Sequence, residues 1–122
     1  MAGAAFDPHF LVDLFAPFAP VTTRRMFSGH AIYRDGVVFA LALRDGLFLK
    51  ADAETVPLFR AEGLGPFSYV VKGRETIVAS YWRMPDACLD DEHALRRWAA
   101  IAWQAAVRAP GKAARRRQLR KP

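Results

Sequence analysis

Apolar and polar positions are most regularly ordered between Met26 and Ala51. Apolar runs begin at Met26, Val37 and Leu47, and the polar breaks between them are Arg34-Asp35-Gly36 and Arg44-Asp45-Gly46. Asp-Gly is a favoured two-residue hairpin loop, because a type I′ turn needs positive φ at both central residues. Two such loops in succession predict a three-stranded antiparallel meander. With Asp35-Gly36 and Asp45-Gly46 as the loops, Ile32 faces Phe39, His30 faces Leu41 and Leu43 faces Phe48. One sheet face then carries Ile32, Val37, Phe39, Leu41, Leu43 and Phe48. The other carries Tyr33, Val38, Ala40, Ala42, Leu47 and Leu49, with small residues where a helix can sit close. A sheet apolar on both sides needs cover on both, from its own helices or from a partner. A slip of one residue would exchange the faces. Gly29, inside the first apolar run, predicts a bulge or a close backbone approach.

Helical spacing appears on either side. Asp7-Pro8 is a helix start, followed by Phe10, Leu11, Leu14, Phe15 and Phe18 at intervals of three and four. Val21 to Arg25 reads as a polar connector into the meander. Asp52 to Glu62 predicts a second helix starting near Thr55, with Gly63 as its C-terminal stop. Phe67–Val71 and Thr76–Trp82 read as two more strands around a turn at 72–75. Asp90-Asp91-Glu92 opens the longest helix, with Leu95, Trp98, Ile101, Ala102 and Ala105 as its buried stripe and Trp103 towards an edge. The order is α-β-β-β-α-β-β-α. It predicts one α+β domain, residues 1–107, with two layers and a mostly antiparallel five-stranded sheet.

Composition changes this picture at one place. The 122 residues are 52% hydrophobic and carry a formal charge of +6. Residues 1–107 hold 11 basic and 12 acidic residues; the last fifteen hold seven basic and none acidic. The positive charge therefore belongs to a tail, residues 108–122, for which disorder is expected. No apolar run is long enough to predict a membrane span, and no basic leader precedes an apolar stretch. A single cysteine fits a reducing compartment, so a cytoplasmic location is expected.

Candidate chemistry is sparse. There is no glycine-rich phosphate loop, no serine elbow and no paired histidines. Cys88 and His93 could be a nucleophile and base, but the acidic helix start beside Cys88 would raise a thiol pKa, so a structural cysteine is the favoured reading. Asp90, Asp91 and Glu92 could hold a cation; a solvated helix start is favoured. No catalytic residue, metal or cofactor is therefore assigned. Arg24 and Arg25 could grip a partner's carboxylates, or be a solvated pair at a loop. Tyr81, Trp82 and Arg83 mix aromatic and basic character at a strand end, as binding hot spots and base-stacking platforms do. Alternation turns only one of Tyr81 and Trp82 towards the core. Lys112, Arg115, Arg116, Arg117, Arg120 and Lys121 are candidates for phosphate contacts.

Several of these segments together carry a resemblance. Arg24-Arg25-Met26-Phe27-Ser28-Gly29, Tyr33-Arg34-Asp35-Gly36, Leu47-Phe48-Leu49-Lys50, Pro66-Phe67-Ser68-Tyr69 and Tyr81-Trp82-Arg83-Met84-Pro85-Asp86 resemble, in this order, the TfoX N-terminal domain family. The resemblance covers roughly residues 10–106. It implies an α+β fold similar to type III secretion chaperones and a link to bacterial competence regulators, and it brings no agreed catalytic residues. Full-length members add a C-terminal helical domain, whereas this sequence carries a basic tail and has Ser28-Gly29-His30 where Gly-Gly-Tyr is usual. The expectation is a stand-alone, non-enzymatic regulatory or protein-interaction module with a protein partner or a second copy. The alternative is a nucleic-acid-associated protein that holds the phosphate backbone nonspecifically through its tail.

Overall fold

Among the described residues, three hairpin turns set the sheet. In a computed structural model, which describes residues 6–26 and 29–109, Asp35 and Gly36 have φ of 50° and 78° and close Val37 onto Arg34. Lys72 and Gly73, at 54° and 77°, do the same between Val71 and Arg74. The middle turn departs from expectation. Leu43 pairs with Gly46, so the loop is Arg44-Asp45, and the positive φ of 136° falls on Gly46 as the first residue of the next strand.

The strands are β1 (Thr22–Met26), β2 (Gly29–Arg34), β3 (Val37–Leu43), β4 (Gly46–Lys50), β5 (Pro66–Val71) and β6 (Arg74–Arg83). They form one antiparallel sheet of six strands, ordered β1-β2-β3-β4-β6-β5, not five. The extra strand is the segment read as a connector. Thr22 to Arg25 is an edge strand, and an exposed edge is guarded by polar and charged residues. Gly29 is buried, and a Cβ there would collide with the backbone carbonyl of Ala42 on β3, so the expected close approach is present.

The predicted faces need a correction. Tyr33 pairs with Val38, but Ile32 pairs with Ala40, which leaves Phe39 as an extra residue on β3. Phe39 and Ala40 both enter the main core. One inserted residue inverts a pattern of period two. Ile32, Val37 and Phe39 therefore join Ala42, Leu47 and Leu49 under the helices, while Tyr33 and Val38 join Leu41, Leu43 and Phe48 on the opposite face.

The helices are α1 (Pro8–Phe15), α2 (Val56–Ala61) and α3 (Glu92–Arg108), with a 3-10 turn at Asp86–Leu89 before α3. The Asp7 carboxylate accepts the His9 N–H at 2.7 Å, and the Asp91 carboxylate accepts from His93 and Ala94, so both long helices are capped at their starts. Leu11 and Phe15 of α1, Phe59 of α2, and Leu95, Trp98, Ala99, Ala102 and Ala106 of α3 meet one sheet face. The alanines on α3 bring it close to Ala40 and Ala42. Trp103 is half-buried and edge-on to Phe39 at 6.0 Å, and the Arg34 guanidinium lies 4.7 Å from its ring centroid. Arg108, at the end of α3, grips Asp52 with two hydrogen bonds of 2.9 and 3.1 Å. Among the described residues, no helix is long and apolar enough to cross a membrane.

Candidate interaction surface

All three helices pack against the same side of the sheet, and the other side builds a second, smaller core. Ala31 of β2, Leu41 and Leu43 of β3 and Phe48 of β4 are buried there without a helix above them. Their cover is the sheet's own side chains. Tyr33, Val38, Phe67 and Tyr81 are partly buried around them, with Phe67 at 4.9 Å from Phe48.

Cations complete the cover. Arg24 on β1 lies over the Tyr33 ring at 5.7 Å, Lys50 on β4 over Tyr81 at 5.0 Å, and Arg83 on β6 over Phe48 at 5.0 Å. In each case the charged head lies over an aromatic ring of this face, so the long side chain helps to cover it. The contact with the π-face adds attraction of roughly 0.5–1 kcal/mol at an exposed site. Arg74, which pairs with Val71, reaches the same face by alternation from Phe67 through Tyr69. Among the described residues, no strand places an acidic side chain on this face. Glu75, the one acidic residue in the strands among the described residues, pairs with Val70 on the opposite side and accepts a hydrogen bond from Ser68 Oγ at 3.0 Å.

Burial tunes two groups here. It pushes the Lys50 ammonium below its ordinary value, with Asp52 partly offsetting the shift. It pushes the Tyr81 phenol up to about 12, with Tyr33 adding to the shift, so Tyr81 stays neutral. Arg83 is also held by its neighbours. Its Nη1 donates to the Asp45 carbonyl at 3.1 Å, and a Cβ on Gly46 would come within 2.6 Å of that nitrogen. The glycine thus clears the space in which the guanidinium lies.

The residues singled out in the sequence divide between the two sides. Arg24, Tyr81 and Arg83 are on the helix-free face. Arg25 pairs with His30 and is exposed at the edge. Trp82 turns into the main core beside Phe59, 5% exposed, and its Nε1 donates to the Ala79 carbonyl at 2.9 Å. The expected disordered tail began at Arg108, but that residue ends α3 and is bonded to Asp52; Lys112, Arg115, Arg116, Arg117, Arg120 and Lys121, and the expectation for residues 110–122, lie outside the described residues. Sequence reading missed Lys50, Tyr33, Phe67, Tyr69 and Arg74. Lys50 had a signal, since it stands two residues beyond Phe48 and alternation gives both the same face.

Elsewhere, Cys88 is buried, and its thiol is pushed up to about 11 by burial and then by Asp91. Its Sγ lies 3.7 Å from the Ala94 carbonyl. Both facts describe a packed neutral thiol, not an activated one. Among the described residues, no group of three or more His, Cys, Asp or Glu is placed to hold a metal ion.

A family model described as the TfoX N-terminal domain matches residues 13–106. The chain belongs to that family. No curated protein matches it.

Proposed function

We propose that this member of the TfoX N-terminal domain family is a non-enzymatic, cytoplasmic interaction module that receives an acidic protein segment on its helix-free sheet face. The observation that carries the reading is the composition of that face: Arg24, Lys50, Arg74 and Arg83 share it with half-buried aromatics, and no described strand residue on it is acidic. Complementary charge speeds encounter and rejects basic partners, and rigid aromatics provide contact area at low entropic cost. The test is titration with a fluorescent glutamate–tyrosine copolymer peptide. The Arg24→Glu, Arg83→Glu double variant should bind at least tenfold more weakly, with an unchanged fold. Equal affinity would overturn the assignment of this face.

The same face favours a second reading. Tyr33, Phe67 and Tyr81 are partly exposed rings beside cations, an arrangement on which nucleic-acid bases stack. The six cations from Lys112 onward would add phosphate contacts. Oligo(dT) in the same titration separates the readings. Strong, salt-sensitive binding that is lost when residues 110–122 are deleted would favour nucleic acid held by the tail. Copolymer binding that survives the deletion favours the protein partner.

A further inference from the structure

The β5–β6 hairpin leaves the body of the sheet. β4 pairs with β6 only at Tyr81, Trp82 and Arg83, so the hairpin beyond them is a two-stranded arm. Every residue from Tyr69 to Ile77 is exposed. Four of them are large and apolar: Tyr69 at 45%, Val70 at 68%, Val71 at 53% and Ile77 at 61%. A free two-stranded ribbon is marginally stable in water, and this one is apolar on both faces.

The two edges of the sheet differ. β1, at one edge, carries Arg24 and Arg25, and like charges oppose its pairing with a copy of itself. β5, at the other edge, has no charge, and neither does the whole stretch from Gly63 to Val71. Nothing in that stretch repels a second copy, and alternate residues of β5 turn their N–H and C=O groups away from β6.

We propose that β5 pairs antiparallel with β5 of a second copy of this chain across a two-fold axis near Tyr69. Such an interface is isologous and closes at two chains. In that register Tyr69 meets its own equivalent, and Ser68 of each copy faces Val70 of the other. Phe67 likewise faces Val71, an aromatic–β-branched pair of the kind that stabilises antiparallel strands. Lys72 then lies opposite Pro66, away from the other copy's Lys72. A two-fold perpendicular to the sheet keeps like faces on one side. The product is a continuous twelve-stranded sheet with all helices on one side and both aromatic–basic faces on the other. The inference concerns the sheet edge and stands whether or not that face binds an acidic partner.

The test is light scattering of the full chain over a wide dilution series, with three variants alongside. The intact chain should show a mass twice the 13.6 kDa of one chain. Tyr69→Lys, which sets two ammonium groups against each other at the axis, should be a folded monomer. Val12→Lys, on the exposed side of α1, should remain a dimer. Tyr69→Cys should cross-link to a covalent dimer on mild oxidation, with the buried Cys88 taking no part. This arm decides the case if Tyr69→Lys fails to fold. A monomeric mass at every concentration, a Tyr69→Lys chain that still dimerises, or no cross-link from Tyr69→Cys would overturn the proposal. The Arg24→Glu, Arg83→Glu variant should keep the dimer mass while losing the copolymer peptide, so the two proposals fail separately.

Discussion

The two faces of this sheet bury apolar surface by different means. On one, α1, α2 and α3 lay Leu11, Phe15, Phe59, Trp98 and a row of alanines over Ile32, Phe39, Ala42 and Leu49, and the buried members of that cluster carry no charge. On the other, a small core of Ala31, Leu41, Leu43 and Phe48 is surrounded by tyrosines and Phe67, with Arg24, Lys50 and Arg83 lying over the rings. Helix cover shuts a face away. Cover by long cationic side chains buries the core and presents charge with the same atoms.

The largest expected effect tests whether the two kinds of cover are equally tight. Phe39 is fully buried against Phe15, Phe18 and Trp103, with ring centroids 5.5, 5.7 and 6.0 Å away. Phe39→Ala should cost about 3–5 kcal/mol in denaturant unfolding, because rings on two helices and a tight sheet cannot collapse into the gap. Leu41→Ala should sit at the low end of the range for such truncations, about 2 kcal/mol, because flexible side chains above it can settle. Losses of equal size would show that the helix-free face is as closed as the other.

This difference also governed what the sequence revealed. Both helix caps, the Asp35-Gly36 turn, the alanine-lined helix face and the closeness of Gly29 to a neighbouring strand each rest on a local rule, and each was legible. The β1 strand was not, because an edge strand at a solvent boundary has no need of apolar residues. The bulge at Phe39 was not, because one inserted residue leaves composition unchanged while inverting the pleat. The interaction face was half legible. Tyr81 and Arg83 are two apart on one strand and announce themselves together. Arg24, Lys50 and Arg74 come from three other stretches, and only the strand order brings them alongside. Trp82 was drawn in with its neighbours because alternation says that one of Tyr81 and Trp82 is inward without saying which.

A middle-sized effect should follow at Gly46, where the helix-free face depends on a missing side chain. Gly46→Ala imposes φ of 136° on a residue with a Cβ and pushes that Cβ into Arg83 Nη1. The backbone strain should cost about 1–3 kcal/mol. The guanidinium would also leave its place over Phe48 and its bond to the Asp45 carbonyl, so copolymer binding should weaken together with stability. Stability lost with binding intact would mean that Arg83 contributes from any position, and that its pose over Phe48 is cover alone.

The smallest effect belongs to the seam where the two faces meet. Lys50 points to the helix-free face, Ala51 to the main core, and Asp52 receives Arg108 from the end of α3. The hydrogen bond from Arg108 is the main cause that holds the Asp52 carboxyl below its ordinary 3.8, with backbone N–H groups of Thr55 and Glu54 adding to it. A carboxyl with a lowered folded-state pKa contributes stability above its unfolded value and loses that contribution as pH falls through the folded one. The loss therefore belongs below about pH 4. The pair is solvent-exposed and screened, so the change is small. Asp52→Asn should lower the thermal midpoint slightly at neutral pH, and its melting curve should converge on that of the parent chain as the pH is taken into the acid range. Salt should shrink the neutral-pH difference. Melting curves that stay parallel from neutral to acid pH would show that the Asp52–Arg108 contact leaves α3 no more firmly seated, and that the apolar packing of the helix-covered face holds it alone.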